Sequence, residues 1–545
     1  MRPRTARSLA FLLLLLSSLF VIVADARAFE DEQPDDYEET ARVARVSFVK
    51  GEVKLQRAGD SEWEDAQANF PLVEGDTLST ARDARVEIQI DARNFLRLGG
   101  DSVLRVVTLR EEGVALSLAE GTAALRLARF DKDKEYFELD APGTTVAAEQ
   151  RGLYRVDADA RGSVRVLTRD GARARIYSET SGFTLRENRS ARLVFEGEQA
   201  GDWDLADAPA FDEWDAWTDE RERYLASRLR FEDRERFYDR EVWGAEELDS
   251  YGDWTHTDTY GWVWRPHSNA VSHYDDWAPY RYGRWTYCPP YGWTWVGDEP
   301  WGWAPYHYGR WVYHDNRWGW APRGYGYSYR RAWWRPALVA FVFVPSSRGR
   351  EVCWYPLTHG QRDPHSGFWR RNFRRLNELH RRDERHRHHP AFRRAVSSLP
   401  AHEFGRRGRR ARGADDALAR QVFLSDPVTG RLQVAPGTER GDASNREGRR
   451  PRFGRDWNER RTGAAPRTPG VALDRELRRS RVFRNREPRG GPDANPNGGD
   501  GTSLNRRRDA DADSGRDTGA VARPPRRQRG DRRDPSDGPR RDTNA

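Results

Sequence analysis

Tyr282-Gly283-Arg284-Trp285, then Tyr291-Gly292-Trp293-Thr294-Trp295, then Trp303-Ala304-Pro305-Tyr306: this aromatic text is written three times in the chain. An earlier copy reads Tyr251-Gly252-Asp253-Trp254, Tyr260-Gly261-Trp262-Val263-Trp264 and Trp277-Ala278-Pro279-Tyr280. A later one reads Tyr308-Gly309-Arg310-Trp311, Trp318-Gly319-Trp320 and Trp320-Ala321-Pro322. A repeat of roughly 26 to 31 residues means one supersecondary unit copied along the chain. Within a unit the aromatics fall at period two, as in Trp293 and Trp295 or Trp311 and Tyr313, which predicts strands. Turn text lies between them, Cys288-Pro289-Pro290-Tyr291-Gly292 and His314-Asp315-Asn316-Arg317, so each unit reads as a β-hairpin and the series as a meander. Glycine ahead of tryptophan lets an indole lie across the neighbouring backbone.

Two uses of these rings are open. They can be the core itself, since each aromatic buries about 150–250 Å². Alternatively one face is exposed and stacks on sugar rings or another planar ligand, with Trp285, Trp293, Trp295 and Trp311 as the platform and Arg284 and Arg310 as donors. The regularity of the shared face is what a core needs. Cys288 and Cys353 are the chain's two cysteines. An oxidising compartment would permit them to pair, so they form a disulfide candidate.

Upstream, residues 202–250 form a charged connector in which Trp214, Trp217, Tyr224, Leu225 and Leu229 recur at helical spacing, an amphipathic helix that packs on a neighbouring domain. Before it, Val86-Glu87-Ile88-Gln89-Ile90, Leu104-Arg105-Val106, Val114-Ala115-Leu116-Ser117-Leu118 and Val164-Arg165-Val166 alternate at period two. Glycines punctuate them about every ten residues, which predicts a sandwich, roll or solenoid of short strands.

Residues 44–198 resemble the FecR domain family. The carrying residues are Gly51-Glu52-Val53, Leu72-Val73-Glu74-Gly75-Asp76-Thr77-Leu78, Phe95-Leu96-Arg97-Leu98-Gly99, Ala141-Pro142-Gly143 and Arg151-Gly152-Leu153-Tyr154-Arg155-Val156. The resemblance implies a periplasmic β-rich module, which in the founding members relays an outer-membrane signal to a sigma factor. Here an export signal starts at the N-terminus and leaves no cytoplasmic anti-sigma segment, so sigma-factor regulation is not carried over. Residues 251–358 resemble an uncharacterised Trp/Tyr-rich repeat family often found after FecR-like domains in envelope proteins. The text Glu299-Pro300-Trp301-Gly302-Trp303-Ala304-Pro305-Tyr306-His307-Tyr308-Gly309-Arg310-Trp311 carries that likeness, which brings no activity with it. Val339 to Val344 and Glu351 to Tyr355 read as two further strands.

Residues 359–435 are basic and partly helical. Four histidines, His380, His386, His388 and His389, invite a metal, but the surrounding arginines repel a cation and no thiolate or spaced carboxylate set accompanies them, so no metal and no cofactor are expected. Gln421 to Val434 reads as a strand pair around Asp426-Pro427-Val428-Thr429-Gly430. Residues 436–545 are Arg, Asp, Gly, Pro and Asn without periodicity, a disordered tail by composition.

At the other end, Arg2, Arg4 and Arg7 precede an apolar run from Leu9 to Val23 and the small-residue options Ala24-Asp25-Ala26 and Ala26-Arg27-Ala28, so residues 1–28 read as a signal peptide. Of 545 residues 33% are charged, with 93 basic against 86 acidic and a net charge of +7, a mixed polyampholyte. Export removes nucleic acid as a partner and leaves weak contacts of the tail with anionic envelope polymers or lipid headgroups. No HExxH, GxSxG, P-loop or GxGxxG motif is present, and no enzyme is expected. The expectation is a mainly β, exported, non-catalytic envelope protein that binds or scaffolds, with cell-wall or surface glycan as the ligand. The alternative is an accessory of envelope signalling that binds a partner protein.

Overall fold

The computed structural model describes residues 42–159, 163–178, 182–196, 199–228, 235–323, 334–347, 349–359, 389–428 and 432–434. The signal peptide, the tail, and His380, His386 and His388 lie outside them. The described chain is mainly β.

The N-terminal alternation builds two strand layers. One runs β3 (Trp63–Asp65), β2 (Val53–Gln56), β5 (Thr77–Thr80), β8 (Val103–Arg110), β9 (Gly113–Leu127), β10 (Tyr136–Ala141), β11 (Thr144–Ala148), β14 (Ala174–Ser178) and β15 (Gly182–Leu185). The other runs β4 (Pro71–Leu72), β1 (Ala44–Lys50), β6 (Arg85–Gln89), β7 (Asn94–Leu98), the second half of β9, β12 (Gly152–Asp159), β13 (Ser163–Arg169), β16 (Arg189–Glu196) and β17 (Gln199–Asp207). All these pairings are antiparallel except β9 with β10. Strand β9 belongs to both layers and changes partners at Gly121, where φ is +98° and a Cβ would sit 2.1 Å from Ser102 Oγ. Leu55, Leu78, Leu104 and Leu116 of one layer meet Val46, Val86, Leu98 and Val156 of the other in a single core. The β module continues through Asp207, past residue 198, because β17 completes the second layer.

Helix α1 (Glu213–Arg228) lies on the outer face of that second layer. The alternation of β6 points Val86 and Ile88 into the core and Glu87 outward, but Glu87 and its neighbour Arg97 are also buried, covered by Arg221 and Glu222 of the helix. Short helices α2 (Leu248–Tyr251), α3 (Ser268–Val271) and α4 (Ala304–His307) punctuate the aromatic region.

Each aromatic unit is a hairpin: β18 (Gly252–Thr257) with β19 (Gly261–Pro266), β20 (Gly283–Cys288) with β21 (Gly292–Gly297), and β22 (Arg310–His314) with β23 (Arg317–Ala321). The expected turns close them, with Asp315 and Asn316 both at positive φ and the Pro289–Pro290 bond cis. The hairpins do not run on as one meander. The first and third join through Trp264 opposite Trp320, while the second forms its own two-stranded sheet. Packing of its rings into the shared cluster holds the middle hairpin without a strand ladder to its neighbours.

A last sheet contains β24 (Val339–Ser346), β25 (Gly349–Pro356), β26 (Ser397–Pro400) and β27 (Arg412–Gly413). Helix α5 (Pro390–Arg394) leads into β26, with His389 as its N-cap accepting from Ala391 N at 3.2 Å. The strand pair expected over 421–434 is not formed where helix α6 (Asp416–Leu424) stands. Asp415 caps it by accepting from Leu418 N at 2.8 Å, and its buried residues, Ala419 and Val422, are three apart, the spacing of a helix face. Among the described residues no helix is long and apolar enough to cross a membrane.

Candidate functional site

The aromatic text has a geometric reason. In each unit the glycine of the Tyr-Gly pair faces the last tryptophan of the partner strand. A Cβ on Gly252 would meet Trp264 at 2.6 Å, one on Gly283 would meet Trp295 at 2.6 Å, and one on Gly309 would meet Trp320 Nε1 at 2.7 Å. The indole therefore lies flat over the glycine, and Tyr-Gly-x-Trp must pair with Trp-x-Trp or Trp-Gly-Trp. Two of these indoles donate to backbone carbonyls, Trp264 to Leu248 at 2.9 Å and Trp320 to Tyr308 at 2.8 Å.

The six candidate ligand residues are not assembled into an exposed platform. Trp285, Trp293, Trp295 and Trp311 are all buried in one cluster with Trp301, Trp303, Tyr306 and Trp354. Trp285 packs edge-on to Trp295 at 5.2 Å and to Trp354 at 5.5 Å, and Trp293 meets Phe404 at 4.9 Å. Trp311 lies 5.6 Å from Trp277 and 6.0 Å from Trp301. Buried to that depth, none of the four offers a face to a ligand in this conformation. Arg310 is buried and donates to the Gly309 carbonyl at 2.7 Å. Arg284 stacks 4.1 Å over Phe70 and pairs with Glu64 at 3.0 Å, so it fastens the repeat to the N-terminal module.

Cys288 and Cys353 are free thiols, both buried. They sit on separate sheets, Cys288 opposite Gly292 and Cys353 between Val342 and Ser398, so the candidate disulfide is not formed. Burial pushes the Cys288 thiol up to about 11 and that of Cys353 to about 12. Such thiols are poor nucleophiles.

What the structure does bring together is a polar seam between the two modules. Arg45 of β1 donates to Glu246 at 2.5 Å, to Asn69 Oδ1 at 3.0 Å and to Gln89 at 3.2 Å, all buried. Asn69 Nδ2 in turn donates to the Glu299 carbonyl at 3.0 Å. Beside it Arg57 bridges Glu64 at 3.1 Å and Asp76 at 2.9 Å, and Glu64 also takes Arg284. Val296 of the middle hairpin enters the N-terminal core, while Val43 and Val73 enter the aromatic one.

At the centre of the rings lies Glu299. Its Oε1 accepts from Tyr306 Oη at 2.7 Å and Trp277 Nε1 at 2.8 Å, and its Oε2 has no partner among the described residues. Burial without a facing guanidinium pushes its carboxyl up to about 7. His307, between the rings of Trp303 and Trp334, is pushed down to about 3 by the same cause and is neutral, donating from Nδ1 to the Arg335 carbonyl at 2.7 Å. Sequence reasoning passed over Glu299, Arg45, Asn69 and Glu64. A single carboxylate inside Glu299-Pro300-Trp301-Gly302-Trp303 was the one available signal, because a charge amid rings must be buried or break the pattern. No group of three or more His, Cys, Asp or Glu that could hold a metal occurs among the described residues.

Residues 245–361 match a family of unknown function, DUF6600, which covers the three hairpins and the β24–β25 pair. No curated protein matches the chain. Two crystal structures, at 1.65 and 2.50 Å resolution, of a protein from Parabacteroides distasonis provisionally named an anti-sigma factor are similar, at 16% and 17% identity respectively, each covering 26% of this chain. Their TM-score is 0.23, and the aligned part spans 63–64% of that protein's length.

Proposed function

We propose that the protein is an exported, non-catalytic scaffold of the bacterial cell envelope, in which a FecR-like β module and the aromatic repeats are fixed to one another as a single presenting body. The observation that supports this reading best is the seam. Burying Arg45, Glu246, Asn69 and Glu64 where two modules meet desolvates charges at a cost, and the pairing of Arg45 with Glu246 and of Glu64 with Arg284 offsets it only when both modules hold their places. The rings serve the same end, because they close the repeats rather than meet a substrate. The reading assigns Glu299 to structure: its carboxyl is enclosed, and its donors Tyr306 and Trp277 belong to the core. The charged leader Arg2 to Arg7 and the run Leu9 to Val23 support export.

Fractionation of cells producing the full chain tests the proposal. Recovery in the envelope fraction with a new N-terminus close after Ala26 or Ala28, and cosedimentation with purified cell-wall sacculi, is the expected result. An intact N-terminus in the cytoplasmic fraction overturns the export reading. Capture of an outer-membrane protein with no sacculus binding would replace the glycan scaffold with the signalling alternative.

A further inference from the structure

The exposed surface carries one feature that neither the core nor the seam uses. From the loop after β26 into β27 the chain reads Arg406-Arg407-Gly408-Arg409-Arg410-Ala411-Arg412, and all five guanidinium-bearing residues are exposed. Their ion pairs are long and solvated: Arg407 with Glu62 at 3.5 Å, Arg410 with Asp298 at 3.7 Å, Arg409 with Glu403 at 3.9 Å. Contacts of that kind are worth little and are exchangeable. Arg412 has no ion-pair partner among the described residues.

The end of this strip, Arg410 to Gly413, forms one wall of a cleft of about 350 Å³. The other wall is the turn Asp275-Asp276 and the ring of Tyr282. It is a built wall. Arg281, itself buried, stands beneath it and donates to the Asp276 carbonyl at 2.6 Å and carboxylate at 2.5 Å, and to the carbonyl of Val396 at 3.2 Å. Gly413 lies against the Arg281 guanidinium, where a Cβ would come within 3.2 Å. The Tyr282 hydroxyl is tied to the Asp275 carbonyl, and its ring packs against Tyr274 at 4.6 Å, tilted by 40°, and Tyr274 in turn against His273 at 3.9 Å with the same tilt. The three rings make a short aromatic ladder at the surface.

We infer that this cleft binds a sugar carrying an anionic group, as one residue of an acidic polysaccharide. Each wall has a part matched to that chemistry. The guanidiniums of Arg410 and Arg412 present forked donors to a carboxylate or phosphate on the ring. The face of Tyr282 is an apolar platform for the C–H side of a pyranose. Asp275, exposed at the mouth, accepts from ring hydroxyls, an interaction that a bare polyanion cannot return. Acidic groups on one side and basic groups on the other disfavour polyphosphate and other strands lacking hydroxyls. The inference goes beyond the scaffold proposal and rests on it only for the compartment that supplies the ligand.

Calorimetric titration of the purified full chain with oligogalacturonate, dextran and polyglutamate tests it, while cell fractionation separately tests export. Oligogalacturonate is expected to bind, with affinity falling as salt rises, dextran not to bind, and polyglutamate to bind about tenfold more weakly. The double variant Arg410→Ala/Arg412→Ala, at exposed positions with no part in the core, is expected to lose about tenfold or more in oligogalacturonate affinity. Tyr282→Ala is expected to lose oligogalacturonate affinity and keep that for polyglutamate. Native tryptophan emission and an unchanged Tm establish that each variant is folded. Undiminished oligogalacturonate binding by the double arginine variant would place the interaction in the Arg-rich tail and overturn the inference. Equal affinity for polyglutamate and oligogalacturonate, or no binding of either, would overturn it as well. A phosphorylated mannan in parallel distinguishes phosphate from carboxylate as the preferred charge.

Discussion

The smallest decisive feature is a missing Cβ. Gly283 has the Val296 carbonyl 2.3 Å and the Trp295 ring 2.6 Å from where that atom would stand, so Gly283→Ala forces the indole or the strand to move. Overpacking of this kind costs about 1–3 kcal/mol, and a lower urea midpoint followed by tryptophan emission measures it. Gly261, with open space around it, is the contrast, although its φ of +68° carries a strain of its own. Glu299 gives a second test at this scale, with a definite sign. Its folded pKa, about 7, stands above its ordinary value of 4.5. Below pH 4.5 both states hold the proton and the site carries no penalty. As pH rises towards 7 the unfolded chain ionises while the folded one keeps its proton, so stability falls across that window and levels off above it. The total is roughly 3 kcal/mol. Glu299→Gln cannot ionise, and its stability should be flat in this respect. Chemical denaturation at pH 4.5, 5.5, 6.5 and 7.5 compares the two, and parallel curves would remove Glu299 as the source.

Helix α1 shows how an element is held when its apolar stripe is narrow. Trp217 reaches Phe48 at 6.1 Å, but much of the contact is ionic: Arg97 with Glu87 at 2.8 Å and with Glu222 at 2.5 Å, Arg221 with Glu87 at 2.8 Å, and Arg155 with Asp215 at 3.0 Å. Removing one partner strands a buried charge, so Arg97→Ala should cost about 3–5 kcal/mol, read from the denaturation midpoint. Arg97→Met together with Glu87→Leu should recover part of it, since the two fully buried charges are gone, while Arg221 and Glu222, nearer the solvent, each lose one partner. The helix was legible from Trp214, Trp217, Tyr224 and Leu225, and the hairpins from the period-two rings and the turns at Cys288 and His314. Their assembly was not. Period two fixes which residues share a face, yet it does not say whether a second layer covers the other face, as α1 covers Glu87. Nor does it say which hairpins share a ladder, and so the second unit stands apart from the first and third. The same ambiguity left open whether Trp285, Trp293, Trp295 and Trp311 were core or platform. Arg45, Asn69 and Glu64 were invisible because their partners lie across a module boundary, 201 to 230 residues away in sequence.

For the whole molecule the question is whether the two modules unfold together. The seam buries Arg45 and Glu246 against each other, with Arg45 also 5.9 Å from the centre of the Trp303 ring. The cores interleave there through Val43, Val73 and Val296. Such a boundary favours joint folding, because either module alone would return Val43, Val73 or Val296 to water and lose the pairing of Arg45 with Glu246. The full chain is therefore expected to lose tryptophan emission, reporting mainly the aromatic repeats, and far-ultraviolet β signal, reporting mainly the N-terminal layers, at one common temperature. Arg45→Ala removes the partner of a carboxylate whose other oxygen already lacks one among the described residues. It should lower stability by about 3–5 kcal/mol and, more tellingly, split the two signals into separate transitions. Glu246→Gln, which leaves a neutral acceptor for Arg45, should soften the coupling less. If both variants keep coincident transitions while losing stability, the apolar interleaving alone joins the modules, and the ion pairs serve to fix their register rather than to bind them.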